Sequence, residues 1–319
     1  MIALKIVVLS ADTELGRETI RQLVEKGHQV TGIGSNAESA TSLRENGATF
    51  AQADLTKTTE LTAAIEASQP DIVLNLTPQI ANTLLHDGHN WKGYDETLPN
   101  TTTALLKALE NIKIKLLVHP SYAFLYGNVK DATEDTALNA PDNDSIFRSA
   151  IEVEEQITKS NFPYCLLRMG FLYGPQSEDL KKYETSFKLK RPYYAGPEDN
   201  LANFLHYEDA AKALVLVVEQ QPVGETFNVV DGTPTPFANF IDTYAMKLGY
   251  SKPAHIPLFT APVAKVIIKE PQMEILDLST TVNCDRISQQ LNWSPTYNSY
   301  QEGLEQTLRV WQQQGVIDK

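Results

Sequence analysis

Side chains that could move a proton follow closely on the apolar segment that ends at residue 119. They are Ser121, Tyr122 and Tyr126, and we expect both phenols near a cleft. A phenol can exchange a proton with a substrate when a nearby cation lowers its pKa. These three residues are therefore the candidate catalytic residues. His119 precedes a proline, and we expect it to be a structural hydrogen-bonding residue rather than a base.

A basic stretch in the second half of the chain could bind an anionic substrate. Its members are Lys181, Lys182, Lys188, Lys190 and Arg191. Such a stretch can hold a phosphate or a carboxylate, although a solvated surface explains it equally well. The residues expected on the substrate side of a site are Arg168, Lys190, Arg191, Tyr193, Tyr194 and His206.

A turn near the N-terminus has the spacing of a dinucleotide-binding turn, in which glycines let backbone N–H groups approach a pyrophosphate. The three glycine positions hold Ser10, Thr13 and Gly16. Asp12 and Glu14 add two carboxylates where a dinucleotide would place its own negative charge. Asp12 or Thr13 could also cap the following helix. Two interpretations of this turn therefore remain open. The turn is either the start of a self-capped helix that binds no phosphate, or a weak dinucleotide-binding site.

Residues that follow or end three further predicted strands could contact the same ligand. Ser35 follows the second strand, where an acidic residue usually binds the ribose hydroxyls or an arginine binds a ribose phosphate. Ser35 supplies neither group. Asp54 and Leu55 could contact an adenine, and Asn75 ends the fourth strand at the cleft. The sequence therefore does not choose between NAD and NADP.

These candidates need a scaffold, and the first half of the chain alternates short β-branched runs with helical periodicity. Strands are predicted at residues 6–9, 30–33, 49–51, 71–76, 115–119 and 164–168, with helices between them that include residues 101–109 and 145–158. This alternation is typical of βαβ units. We predict an α/β fold, a doubly wound parallel sheet of Rossmann type over residues 1–170, with a smaller α/β substrate-side domain over residues 171–319. The chain is expected to return to the first domain near residues 205–230.

Composition excludes several classes of protein. The chain has 319 residues, of which 42% are hydrophobic and 21% charged, as in globular proteins. Its 27 basic and 40 acidic residues give a net charge of −13, which disfavours nucleic acid and anionic membranes as partners. No apolar stretch reaches the roughly 18 residues of a membrane span, and the apolar N-terminus is short for a signal sequence. A cytoplasmic protein is expected.

Cysteine and histidine spacing predicts neither a disulfide framework nor a metal site. Cys165 and Cys284 lie far apart, and Cys165 falls in an apolar run. His86 and His89 are three residues apart but have no third ligand nearby in the sequence. We therefore predict no bound metal.

Seven segments, in this order, resemble the extended short-chain dehydrogenase/reductase family, the NAD-dependent epimerase/dehydratase group. They are KIVVLSADTELG, QADL, HPSYAFLYG, LLRMGFLYGP, NFLHYEDAAKAL, GETFNVVDG and LNWSPTYNSYQEGL. The resemblance covers nearly the whole chain. Met169 stands where the family has proline, and Asn292 where it has glycine.

The resemblance implies a catalytic Tyr-x-x-x-Lys pair on one helix, with a nearby serine. Aligned on Ser149 and Glu154, the tyrosine position holds Ile146 and the lysine position holds Ala150. A register slipped by one residue gives Phe147 and Ile151, which are also apolar. The serine position holds Tyr122, with Ser121 just before it. Family members also often form homodimers, and we expect one here.

Three hypotheses follow from this coordinated loss of motifs. The first is a catalytically degenerate member that binds a small-molecule ligand or a partner, and that could bind no dinucleotide at all. The second is an active, atypical NAD- or NADP-dependent epimerase, dehydratase or reductase acting on a sugar nucleotide or another hydroxy or keto substrate. The third is a non-redox isomerase or lyase that uses the same cleft. The sequence favours the first.

Overall fold

The computed structural model describes residues 3–36, 40–77, 94–139, 141, 145–193, 196–197, 199–256 and 275–317. In the ranges that begin at residues 94 and 145, side chains are described from residues 97 and 147 onward. No helix within these ranges is both long enough and apolar enough to cross a membrane.

Parallel strands form the centre of the molecule. The strands are β1 (Lys5–Leu9), β2 (Gln29–Gly34), β3 (Thr49–Gln52), β4 (Ile72–Asn75), β5 (Leu116–Tyr122), β6 (Val129–Ala132), β7 (Tyr164–Met169), β8 (Phe171–Tyr173), β9 (Leu201–Ala202), β10 (Phe204–His206), β11 (Glu225–Val229), β12 (Thr235–Pro236) and β13 (Thr280–Val282). Seven of these described strands make one sheet in the order β11-β7-β5-β4-β1-β2-β3. All neighbours in it pair in parallel. This arrangement confirms the predicted doubly wound α/β fold.

Helices cover both faces of this sheet. They are α1 (Glu14–Glu25), α2 (Ala40–Glu45), α3 (Thr58–Ser68), α4 (Tyr94–Leu109), α5 (Ser145–Thr158), α6 (Glu178–Lys188), α7 (Tyr207–Gln220), α8 (Phe237–Lys247), α9 (Asp285–Leu291) and α10 (Tyr300–Gln313), with a short 3₁₀ helix at Ala123–Tyr126. Helices α1 and α7 pack on one face, and α3, α4 and α5 on the other.

Strand β1 shows why its sequence is apolar without alternation. Ile6 and Val8 belong to the core cluster beneath α1 and α7, whereas Val7 and Leu9 belong to the cluster beneath α3, α4 and α5. All four side chains are at most 1% exposed. A strand buried on both faces needs apolar residues at every position.

A third core cluster forms in the part of the chain after residue 170, where α6, α8 and α10 pack around aromatic rings. The rings of Phe204 and Phe240 stack with centroids 4.4 Å apart. Short strand pairs join this region, namely β8 with β10, β9 with β12, and β6 with β13. The chain returns to the main sheet at β11, which pairs with β7 along its edge.

Candidate functional site

The strand order of the main sheet reverses between β1 and β4, and ligands of doubly wound folds bind at the carboxyl ends of strands beside such a reversal. Ser10 follows β1, and Thr77 lies two residues beyond the end of β4. Their hydroxyl oxygens share a hydrogen bond of 2.7 Å across this crevice. The Thr77 N–H donates to Asn75 Oδ1 at 3.3 Å. The ends of the two neighbouring strands β1 and β4 are thus joined by hydrogen bonds at one point.

Two buried polar atoms at this edge have no hydrogen-bond partner within the described residues. They are Asn75 Nδ2 and Ser121 Oγ, and both side chains are 2% exposed. Both lie where β4 or β5 ends. Because an unpaired buried polar group carries an energetic penalty, these atoms are candidate contacts for a bound ligand.

His119 lies beside Asn75 and serves the structure. Its Nδ1 lies 3.0 Å from the Asn75 carbonyl oxygen, and its side chain is buried. Burial lowers the pKa of His119 to about 4, so the ring is neutral at pH 7. This geometry supports the structural role expected for His119.

The first turn has a left-handed residue and a close backbone approach, although two of the three glycine positions hold other residues. Ser10 has a φ of 53°, in the left-handed region that usually favours glycine. A Cβ atom on Gly16 would lie 2.5 Å from the Ser10 carbonyl oxygen, so only glycine fits there. The turn and the helix therefore approach one another closely.

Thr13, rather than Asp12, caps helix α1. Its hydroxyl accepts from the Gly16 N–H at 3.1 Å and donates to the Ser10 carbonyl at 2.8 Å. This arrangement commits the Gly16 N–H to the chain itself. The N–H groups of Glu14 and Leu15, which also belong to the first helical turn, are those that could face an anion.

The Asp12 carboxylate lies over the end of β2. A Cβ atom built on Gly34 would be 3.3 Å from Asp12 Oδ1. Arg17 Nη1 donates to the Asp12 carbonyl oxygen at 2.5 Å and anchors the residue from helix α1. Ser35 follows β2 with an exposed side chain. The acidic group at this edge therefore comes from the first turn and not from the residues after β2.

The adenine-side candidates lie on the loop after β3. Asp54 Oδ1 accepts hydrogen bonds from the Thr56 N–H at 3.0 Å and the Thr56 hydroxyl at 2.7 Å. These bonds lower the pKa of Asp54. Leu55 is half-buried against the core cluster beneath α3. The Asp54 carboxylate thus orders its own loop, and the adenine contact stays a prediction.

Two of the three candidate catalytic residues, Ser121 and Tyr122, lie at the end of β5 beside the cleft. The ring of Tyr122 stacks on Phe124, with centroids 5.0 Å apart. Tyr126, predicted near the cleft, lies instead in the interior. Its hydroxyl donates to Asn228 Oδ1 at 2.8 Å, and burial raises the pKa of this phenol. Tyr126 is therefore not placed to donate a proton to a substrate.

Helix α5 presents apolar side chains where the family resemblance places its proton-transfer pair. Ala150 is buried among core residues, and the Phe147 ring meets Phe124 edge-on with centroids 5.6 Å apart. The Ile146 side chain, like Tyr194, His86 and His89, lies outside the described residues. The described residues contain no group of histidine, cysteine and acidic side chains that could hold a metal.

Arg168, predicted to face substrate, is committed to a buried ion pair. It is 8% exposed, and its Nη2 lies 2.7 Å from Glu154 Oε2. Its Nη1 donates to the Tyr126 hydroxyl at 2.8 Å and to the Glu134 carbonyl at 3.3 Å. Burial disfavours the positive charge of the guanidinium. The hydrogen bonds and the negative charge of Glu154 favour that charge more strongly, and the pKa of Arg168 is raised. The guanidinium thus joins α5, β7 and the 3₁₀ helix.

Tyr193 and His206, also predicted on the substrate side, are internal as well. The Tyr193 hydroxyl donates to Asp242 Oδ1 at 3.0 Å. His206 is the N-cap of α7, where its Nδ1 accepts from the Glu208 N–H at 3.2 Å. Burial lowers the pKa of His206 to about 3. Lys190 and Arg191 are exposed just beyond α6, and their role in substrate binding stays a prediction.

An apolar wall, which the sequence did not reveal, lies beside the carboxyl ends of β5 and β7. It encloses a cavity of about 20 Å³, with room for about one water molecule. Rings of Phe124, Phe171 and Phe237 line it, and Asn203 adds a buried Oδ1 that has no hydrogen-bond partner within the described residues. This side of the cleft offers planar apolar surface and few polar contacts.

Asp231, at the end of β11, makes the stability of the protein depend on pH. It is 5% exposed, and burial raises its pKa to about 7. The unfolded chain has an aspartate pKa of about 4, so between about pH 4 and pH 7 only the folded state keeps this proton. The free energy of unfolding therefore falls as pH rises through this window.

We expect Asp231→Asn to remove this part of the pH dependence, because the amide keeps the shape of the side chain and does not ionise. From about pH 4 to pH 8 the variant should lose about 1–3 kcal/mol less stability than the unchanged protein. Urea denaturation at a series of pH values measures this difference. Parallel stability profiles for the two proteins would contradict the assignment.

Known proteins share both the sequence signature and the fold. The family described as "NAD dependent epimerase/dehydratase family" matches residues 7–230. A 3-diazoavenalumate denitrifying reductase from a Streptomyces species is 26% identical over 312 residues, which cover 94% of this chain and 99% of that protein.

Two solved structures illustrate the shared fold. A double mutant of DesIV, a dTDP-glucose 4,6-dehydratase from Streptomyces venezuelae with NAD bound, superposes with a TM-score of 0.80 at 17% identity, covering 99% of both chains. UDP-glucose 4-epimerase from Thermotoga maritima, with UDP-glucose, gives a TM-score of 0.78 at 17% identity, covering 97% of this chain and 99% of that one. With its signature matched from β1 to the end of β11, this chain belongs to the NAD-dependent epimerase/dehydratase family.

Proposed function

We propose that this protein is a nicotinamide-dinucleotide-dependent reductase that transfers a hydride to an acceptor already carrying a positive charge. One observation carries the proposal. The first turn holds Ser10 at a left-handed φ of 53°, whereas α5, where the family has its proton-transfer pair, has packed apolar residues such as Ala150. Strained backbone persists where the surrounding structure and its function require it.

The residues at the crevice fit a dinucleotide. Gly16 allows the close approach of turn and helix, and the N–H groups of Glu14 and Leu15 can face a pyrophosphate. Asn75 Nδ2 and Ser121 Oγ can bond the part of the ligand that reaches β4 and β5, since both atoms are buried without a partner among the described residues. When bound there, the reduced cofactor supplies one hydride.

The charge of the acceptor explains why no tyrosine–lysine pair is needed. A ketone that receives a hydride becomes an alkoxide and must take a proton from the protein. An iminium or aryl diazonium ion becomes neutral when it receives the two electrons of a hydride, because a C–H bond forms and the positive charge is lost. In the diazonium case the C–N bond breaks and dinitrogen leaves. The side chains at the proton-transfer positions can then be apolar.

Three further findings support a cationic acceptor. The net charge of −13 attracts cations to the molecule. The cavity beside the cleft is lined mainly by apolar residues, among them Phe124, Phe171 and Phe237, and by fewer polar ones, namely Asn200, Asn203 and Thr280. The Streptomyces relative is itself named a denitrifying reductase of a diazo compound.

A protein that binds a ligand or a partner without turnover is the second candidate. Its support is the same packed helix, α5, in which the lysine position holds the buried Ala150, and in which the register slipped by one residue places the buried Phe147 at the tyrosine position. That observation shows only that α5 lacks the family's proton-transfer pair. A protein that binds a ligand without turnover would use the first turn and the buried polar atoms at the crevice as well, so hydride transfer, and not binding, distinguishes the two candidates.

The test uses a cyclic N-methyl iminium ion and the ketone of the same ring size, each with deuterated NADH. We expect deuterium transfer to the iminium and none to the ketone. Tyr122→Phe should change the iminium rate by less than about twofold, since no proton is moved. A general acid would lose about 10²–10⁴-fold.

Reactions without protein set the background rate, and fluorescence titration with NADH measures cofactor binding separately. NADH binding with no transfer to either acceptor would support the second candidate. Reduction of the ketone, abolished by Tyr122→Phe, would contradict the proposal and restore Tyr122 as a catalytic residue.

A further inference from the structure

The end of β2 lacks the group that normally selects the dinucleotide. An acidic residue there accepts hydrogen bonds from the ribose hydroxyls of NAD, whereas an arginine accommodates the ribose phosphate of NADP. In this chain β2 ends at Gly34, and Ser35 and Asn36 follow. None of these three residues carries an acidic or basic side chain.

Asp12 fills the same space from a different element. Its Oδ1, Cγ and Oδ2 would lie 3.3, 3.4 and 3.6 Å from a Cβ atom on Gly34, so the whole carboxylate lies over the end of β2. The absence of a side chain at Gly34 leaves room for it. In doubly wound dinucleotide-binding folds, the adenosine ribose is recognised beside the first turn and the end of β2. The Asp12 carboxylate belongs to the first turn and lies over the end of β2, so it is placed at both.

Within the described part of the chain, two features leave the Asp12 carboxylate available for a ligand. Thr13 caps α1, so Asp12 is not required as the cap. Arg17 bonds the backbone carbonyl of Asp12 at 2.5 Å and not its carboxylate. The residue is therefore held by its main chain, while its side chain remains directed at the edge of β2.

Resting on the proposed function, we infer that Asp12 is the cofactor-selecting residue of this protein. Its carboxylate accepts hydrogen bonds from the ribose hydroxyls of NAD(H) and repels the ribose phosphate of NADP(H). The sequence pattern alone suggests the opposite effect, namely that Asp12 repels the pyrophosphate of either cofactor. The two accounts predict opposite changes in NADH affinity when the charge is removed.

The experiment is a fluorescence titration of the full chain with NADH and with NADPH, for the unchanged protein, Asp12→Asn and Glu14→Gln. Glu14→Gln is the matched control, because it removes the same charge from the same turn without touching the end of β2. We expect the unchanged protein to prefer NADH. Asp12→Asn should weaken NADH binding about tenfold, the effect of losing a charge-assisted hydrogen bond, and tighten NADPH binding.

Glu14→Gln should leave the ratio of the two affinities unchanged. Tighter NADH binding by Asp12→Asn, or the same NADH-to-NADPH ratio in Asp12→Asn as in the unchanged protein, overturns the role of Asp12 and leaves the reductase intact. Binding of neither dinucleotide by any of the three proteins overturns the reductase and the selector together. Circular dichroism and thermal melts of each variant confirm that the helix and the fold are kept.

Discussion

Arg168→Leu is expected to destabilise the protein by about 3–5 kcal/mol, because it leaves the Glu154 carboxylate buried without its partner. Both side chains of the pair are at most 10% exposed, and Glu154 accepts from Arg168 Nε as well as Nη2. The substitution also removes a donor from the Tyr126 hydroxyl. Urea denaturation measures the loss as a lower transition midpoint with an unchanged slope.

The surface pair of Lys159 and Glu155 provides the control. Its atoms are 2.6 Å apart, but the two side chains are 73% and 56% exposed. Lys159→Met should therefore change stability by less than about 1 kcal/mol. The double variant Arg168→Leu with Glu154→Leu should recover part of the loss, because no isolated charge remains. If Arg168→Leu were no more destabilising than Lys159→Met, the pair would not be structural.

Gly16→Ala is expected to weaken dinucleotide binding about hundredfold and to destabilise the fold by about 2–3 kcal/mol. The new Cβ atom would lie 2.5 Å from the Ser10 carbonyl oxygen and 2.9 Å from that of Ala11. Both are backbone atoms, so the first turn itself must move. The displaced N–H groups would then no longer converge on a pyrophosphate. Titration with NADH and thermal melting measure the two effects.

Gly27→Ala is the matched control for this glycine. Gly27 follows the other end of α1 with a φ of 83°, and a Cβ atom there would meet nothing within 4 Å. The change should cost about 1 kcal/mol through backbone strain alone and leave NADH affinity unaltered. Equal loss of affinity in both variants would show that binding follows overall stability rather than the geometry of the turn.

The fold could be predicted from the sequence because burial dictates it locally. Strands in the middle of the main sheet, such as β1 and β4, are covered on both faces and therefore read as short apolar runs, whereas the edge strand β3 has no buried residue. Boundaries were less predictable. Helical periodicity indicated a start at residue 101, whereas α4 begins at Tyr94 and continues through Pro99. A proline suggests a helix start, and the pattern cannot reveal that the helix continues through it.

The site was less predictable because residue type does not reveal a distant partner. Arg168, Tyr193 and His206 have side chains suited to substrate binding. The structure gives each of them an internal partner far away in the sequence, such as Gln306, whose Oε1 lies 3.1 Å from His206 Nε2. Asp12 illustrates the reverse case, since its carboxylate occupies the space over β2 that the missing side chain of Gly34 leaves, a placement that no spacing rule reports.

The position of β11 has a consequence for the order in which the molecule can be completed during synthesis. Strand β7 ends at residue 169, yet its outer neighbour, β11, begins only at residue 225. A growing chain that has released β7 from the ribosome therefore carries an exposed strand edge while the intervening residues are still being translated. An exposed strand edge can pair with a strand of another chain. The protein is acidic, and repulsion between two acidic chains opposes such pairing until β11 has been made.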